Sequence, residues 1–93
     1  MTTKVTGKNA DLINKYAGAN SVDPALIKAI IQQESSNGAN GIKNVMQVSS
    51  LGKKTSVESS IKTGTSMFAK YLNQTGNVDV ALAMYNMGPG ILD

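Results

Sequence analysis

The stretch Asp23-Pro24-Ala25-Leu26-Ile27-Lys28-Ala29-Ile30-Ile31-Gln32-Gln33-Glu34-Ser35 decides how this chain is read. Asp23 offers a carboxylate oxygen to the orphan backbone N–H groups of a first helical turn. Pro24 fits the first helical position, where its missing N–H would have had no partner. A helix from Pro24 to Ser35 is therefore expected. At about 100° per residue, Ile27, Ile30, Ile31 and Glu34 share one face, with Lys28, Gln32 and Ser35 expected on the other. Glu34, one of only two glutamates, points where the isoleucines point. Glutamate is rarely buried without a partner, and desolvation disfavours its ionised form, so a carboxyl placed there keeps its proton to higher pH. A general acid working near neutral pH needs that property. The plainer alternative is that Glu34 sits at a helix end and emerges into solvent, and periodicity alone does not choose between the two.

Outward from this helix the same rules predict three more. Residues 1–9 are polar and expected to be frayed or tag-like. A short helix then starts at Asn9 or Ala10, carries Leu12, Ile13 and Tyr16 on one side and ends near Gly18. After Glu34, the run Ser35-Ser36-Asn37-Gly38-Ala39-Asn40-Gly41 is too rich in turn formers to remain helical, and its small residues are expected to leave open space beside the acid. Val45-Met46-Gln47-Val48 reads as a brief strand or a single helical turn. A longer helix from about Val57 to Asn73 aligns Val57, Ile61, Gly64, Phe68 and Leu72, with Gly64 suggesting close packing. A last helix aligns Val78, Ala81, Leu82 and Tyr85 before Gly88-Pro89-Gly90 ends it. The fold class expected is all-α, with residues 10–93 as one domain excised from a longer protein.

Composition narrows the chemistry. Ninety-three residues make one small domain, of a size that buries only about 60–65% of its unfolded surface. There is no cysteine and no histidine. Thiolate and Ser-His nucleophile systems are thereby excluded, and a zinc site or other cofactor is not expected. Nine lysines against six acids give a net charge of +3. With no arginine for bidentate contacts, specific nucleic-acid binding ranks low, although a small basic helical binder is one competing reading. No apolar run approaches the ~20 residues of a membrane span, and Met1 to Asn9 has no apolar stretch of signal-peptide type. Of the remaining acids, Asp23 caps a helix, Asp11 and Asp79 fall in first turns, and Glu58 precedes Lys62 by four residues in the favourable order. Asp93 is the last residue.

Three segments stand out in order: Glu34-Ser35, Asn44-Val45-Met46-Gln47, and Met84-Tyr85-Asn86-Met87-Gly88. Together they resemble the motifs of the soluble lytic transglycosylase domain, a relative of goose-type lysozyme. Its pattern is a helix-terminal Glu-Ser, a Gly-Leu-Met-Gln segment and an Ala-Tyr-Asn-x-Gly segment. Ser60-Ile61, Gly64 and Phe68 are similar to a third family segment. The short spacing from Glu34 to Gln47 resembles the compact forms in phage tail proteins and Gram-positive conjugative elements. The resemblance implies a small lysozyme-like helical domain with a substrate cleft, acting at the bacterial wall on peptidoglycan glycan strands. It implies cleavage of the β-1,4 bond between N-acetylmuramic acid and N-acetylglucosamine, with Glu34 first as acid and then as base while the muramoyl 6-hydroxyl closes a 1,6-anhydro ring. It also implies substrate-binding roles for Ser35, Met46, Gln47, Tyr85 and Asn86. Read as residues alone, Met46 is more core than contact, Tyr85 has an equal claim as a core ring, and Ser35 orients the carboxylate or only ends the helix. Two alternatives stand beside this: a muramidase using water on the same bond, and a non-catalytic glycan-binding module. The chain departs from the family where Asn44-Val45 replaces Gly-Leu and Met84 replaces alanine.

Overall fold

The Asp23 carboxylate opens its helix as expected, Oδ1 accepting the Ala25 N–H at 2.9 Å. The structure, a computed structural model, describes residues 4–87. The described residues are mainly helical: α1 (Ala10–Ala19), α2 (Pro24–Ser35), a short 3-10 turn (Ala39–Gly41), α3 (Val57–Thr75) and α4 (Val78–Met87). The chain is an all-α domain of lysozyme-like type. The expected stop at Gly88-Pro89-Gly90 lies outside the described residues.

The long helix α3 is the spine: α1 and α4 both pack on it, and α2 packs on α1. Ser56 caps its start, accepting the Ser59 N–H at 3.0 Å, and Gly76 in the left-handed region (φ 63°) ends it. Its buried stripe of Ile61, Gly64 and Phe68 meets Ile13 and Ala17 of α1, Ile27, Ile30 and Ile31 of α2, and Ala81 of α4 in one core. Val45, Met46 and Val48 are also fully buried there, which seats the loop between α2 and α3 in the interior. Burial of side chains this large stabilises the fold by about 1.5–3 kcal/mol each.

Four expectations are corrected and one is extended. Residues 4–9, expected to be frayed, lie against the body. Val5 exchanges both backbone hydrogen bonds with the Asn14 amide at 2.9 and 3.0 Å, Lys28 Nζ donates to Thr6 O, and Lys8 Nζ donates to Gly38 O. Val45 to Val48 is neither strand nor helix but a tight turn, closed by Gln47 N–H donating to Asn44 O at 2.9 Å, with Gln47 at φ 52°. Ser35 belongs to the buried side, since it follows Ile27 and Ile31 at four-residue steps. Glu58 keeps the expected attraction of Lys62, but its direct partners come from α1: it accepts from the Tyr16 hydroxyl at 2.5 Å, with Lys15 at 3.7 Å. Val78, at the first position of α4, is exposed rather than part of the apolar stripe.

Candidate active site

The end of α2 is a sharp corner. Ser36 N–H donates to Gln32 O, and Asn37 N–H reaches back to Ile31 O, the six-residue closure typical of helix ends. Ser36, Asn37 and Gly38 then all take left-handed backbone, at φ 49°, 61° and 77°. Asparagine and glycine tolerate this region, and Ser36 bears the conformational cost. The corner is held from inside by Ser35, 5% exposed, whose Oγ donates to Ile31 O and accepts the Gly38 N–H, both at 3.0 Å. The space expected beside the acid is partly filled, because Gly38 itself is buried: a Cβ there would lie 3.2 Å from Val45 and 3.3 Å from the Lys8 ammonium.

Glu34 stands at this corner, half-buried, one residue before the buried serine. Burial pushes its carboxyl above the usual glutamate range, and no charge among the described residues contributes to that shift. The other glutamate is driven the opposite way. The Tyr16 hydroxyl bonded to Glu58 holds its carboxyl below the usual range, against desolvation and with help from Lys15 and Lys62. Of the two glutamates, only Glu34 has surroundings that retain a proton.

The Met46-Gln47 turn is built from both sides. Asn44 accepts the Val48 N–H on Oδ1 at 2.9 Å and donates from Nδ2 to Val48 O at 2.8 Å and Gly52 O at 3.3 Å. The fully buried Ser60 of α3 accepts the Met46 N–H at 2.9 Å and donates to Asn44 Oδ1 at 2.7 Å. Ser60→Ala leaves the Met46 N–H and an Asn44 lone pair without a partner in the core. The expected result is a loss of about 1–3 kcal/mol in stability, read from the urea midpoint.

Tyr85 of α4 closes the constellation. Its hydroxyl donates to Met46 O at 2.7 Å. Its pKa is raised, first by burial, then by the negative charge of Glu34 and by Tyr71, which places Glu34 and Tyr85 in one electrostatic neighbourhood. Both the turn and the tyrosine lie against Gly64 of α3, where a side chain would collide with them. The Met46 carbonyl and the Tyr85 hydroxyl thus meet between the loop and α4, and the charge of Glu34 reaches Tyr85 from the end of α2.

The remaining expected site residues are distributed differently. Met46 is fully buried and presents no side-chain surface to a ligand; Ser35 is in the same position, with its hydroxyl engaged at the helix end. Gln47 is exposed, its Nε2 donating to Asn44 O at 3.0 Å. Asn86 is exposed on the last turn of α4. Among the described residues no three acidic side chains gather as a metal site would require.

The family model for the Transglycosylase SLT domain matches residues 11–93. This chain belongs to that family. No solved structure matches it. SLT domains are generally enzymatic on peptidoglycan, and the helix-terminal Glu-Ser, the Met-Gln turn and the Tyr-Asn pair of this SLT domain all fall inside the matched range. Motif reading treated Asn44 only as a departure and Ser60 only as a match, and so missed their shared task. In this SLT domain Asn44, standing where the family has glycine, ties the turn together with its side chain. The signal in the sequence was an asparagine at the entry to a short apolar turn, a residue suited to local backbone bonding.

Proposed function

We propose that this chain cleaves the β-1,4 bond between N-acetylmuramic acid and N-acetylglucosamine as a lytic transglycosylase with Glu34 as its one acid and base. What supports the reading is the half-buried position of Glu34 at the end of α2, where burial pushes its carboxyl up and no other charge among the described residues contributes. A glycosidase using two carboxylates needs them about 5 to 9.5 Å apart, and a second carboxylate that close would add its own charge to that shift.

The steps balance around one group. Glu34 gives its proton to the glycosidic oxygen as the bond from that oxygen to the muramoyl C1 breaks. The carboxylate so formed takes the proton of the muramoyl 6-hydroxyl, whose oxygen bonds to C1 and closes the 1,6-anhydro ring. Glu34 is left protonated for the next cycle. The negative charge of Glu34 acts on Tyr85, which is bonded to the Met46 carbonyl, and the exposed Gln47 and Asn86 side chains are available to the N-acetyl and hydroxyl groups of the glycan. This activity belongs at the bacterial wall, and the compact Glu34-to-Gln47 spacing favours a wall-opening role within a phage tail or conjugation assembly. Mass spectrometry of digested peptidoglycan tests the outcome: 1,6-anhydromuramoyl ends are expected, and reducing ends from water attack would overturn the transglycosylase step.

The pH dependence follows from the same shift. A general acid works only while protonated, so kcat should fall as pH rises through the raised Glu34 pKa. The alkaline limb is expected above the ordinary glutamate value of about 4.3, and a rate set by an unperturbed carboxyl would place it at that value instead.

A further inference from the structure

A second concavity lies next to this centre. It is a groove of about 650 Å³ between the loop at residues 40–44 and the segment 47–53, open to solvent on one side. Lys43 and Lys53 line it together with Asn40, Ile42, Gln47 and Ser49, and no carboxylate does. Among the described residues neither lysine has an ion-pair partner, the recorded pair being Lys15 with Glu58. Ile42, 36% exposed, adds an apolar patch to the same wall. The groove is built in advance of any ligand, because the single side chain of Asn44 ties both walls through its bonds to Val48 and Gly52. Gln47 connects it to the centre: its side chain lines the groove, while the preceding carbonyl accepts the Tyr85 hydroxyl.

The chemistry of this lining does not suit a neutral sugar alone. The sugar rings of the glycan carry no charge; its carboxylates lie on the lactyl group of each muramic acid, which is either free or amidated by a peptide stem that brings further carboxylates and small alanyl methyl groups. We propose that the groove between Lys43 and Lys53 receives a carboxylate of the peptide stem, with Ile42 against an adjacent methyl group, so that the domain selects peptide-bearing over bare glycan. This rests on the reading of the neighbouring centre as peptidoglycan-cleaving. The ammonium groups act in solvent, so each contributes modestly and is screened by salt.

Binding is measured by titration calorimetry with the Glu34→Gln chain, which cannot turn the ligand over, against a disaccharide bearing a tetrapeptide stem and the same disaccharide with its lactyl carboxyl capped as a methylamide. The stem-bearing ligand should bind about three- to tenfold tighter at low salt. In the Glu34→Gln/Lys43→Gln/Lys53→Gln chain this ratio should fall to near one, and in the parent chain it should shrink toward one as ionic strength approaches 1 M. Equal affinities for the two ligands, or a preference that survives loss of both lysines, overturns the proposal. A preference that amidation of the stem carboxylates leaves intact does so too. Cell-wall release by the wild-type chain is scored separately, so loss of the catalytic reading and loss of the stem site are distinguishable.

Discussion

Glu34→Gln is expected to lower peptidoglycan cleavage by at least about 100-fold, the lower end of what a positioned general acid contributes. The amide nearly matches the carboxyl in shape but has no proton to deliver, and no other described carboxylate has surroundings that would let it take over. Glu58 is exposed and its carboxyl is held below the usual range by Tyr16. The fold should persist, because Glu34 takes no recorded part in the hydrogen bonds that hold the corner; Ser35 and the Ile31 carbonyl do that. The sign of the stability change is also set. The folded chain holds the Glu34 proton more tightly than the unfolded chain does, so this group's contribution to stability is full below about pH 4.3 and is lost as pH rises through the raised value. Glu34→Gln should therefore melt slightly above wild type at neutral pH, with the gap closing in acid. Dye release from labelled walls and melting curves at two pH values check both halves. Equal wall clearance by the two proteins would sink the catalytic assignment.

Gly64→Ala should destabilise the domain although alanine is the better helix former. A Cβ at Gly64 would stand 2.6 Å from Met46 Sδ, 2.8 Å from the Tyr85 hydroxyl oxygen and 2.9 Å from Met46 Cβ. The thioether can swing aside, but Met46 Cβ moves only with its backbone, and that backbone carries the carbonyl bonded to Tyr85. Helix propensity favours the substitution by roughly 1 kcal/mol, while overpacking costs about 1–3 kcal/mol, for an expected net loss of up to about 2 kcal/mol. Gly64→Val adds a branched side chain to the same gap and should lose about 3 kcal/mol or more. Both should depress wall cleavage further than the fraction unfolded accounts for, because the collision displaces the Met46-Tyr85 contact beside Glu34. Urea unfolding with parallel cleavage assays reads the two effects apart. An unchanged or raised midpoint for Gly64→Ala would show that the loop yields without cost.

Much of this was legible in one dimension because the deciding signals are local. A capping aspartate with proline at the first helical position, a 3.6-residue apolar period and a run of turn formers each act within a few residues, and together they located α2 and its end. Gly64 was readable as a packing site because a glycine inside an apolar stripe has few other reasons to be there. Ser35, four residues after Ile31, lies at the edge of the apolar stripe, where the helical angle alone does not separate inward from outward. The main partners of Glu58 are hidden from a four-residue spacing because Tyr16 and Lys15 arrive from another helix.

The sequence by itself determined that the described residues are mainly helical, where α1 to α3 begin and, to within about two residues, end, and that one glutamate is aimed with the isoleucines, since these follow from backbone periodicity and capping. Tertiary structure alone decided what surrounds that glutamate. Burial that raises its pKa, the Ser60-Asn44 support under the Met46 turn and the Tyr85 bond to Met46 O join residues 14 to 39 positions apart. Such contacts depend on how helices cross rather than on how any segment repeats, and desolvation is a property of the assembled neighbourhood.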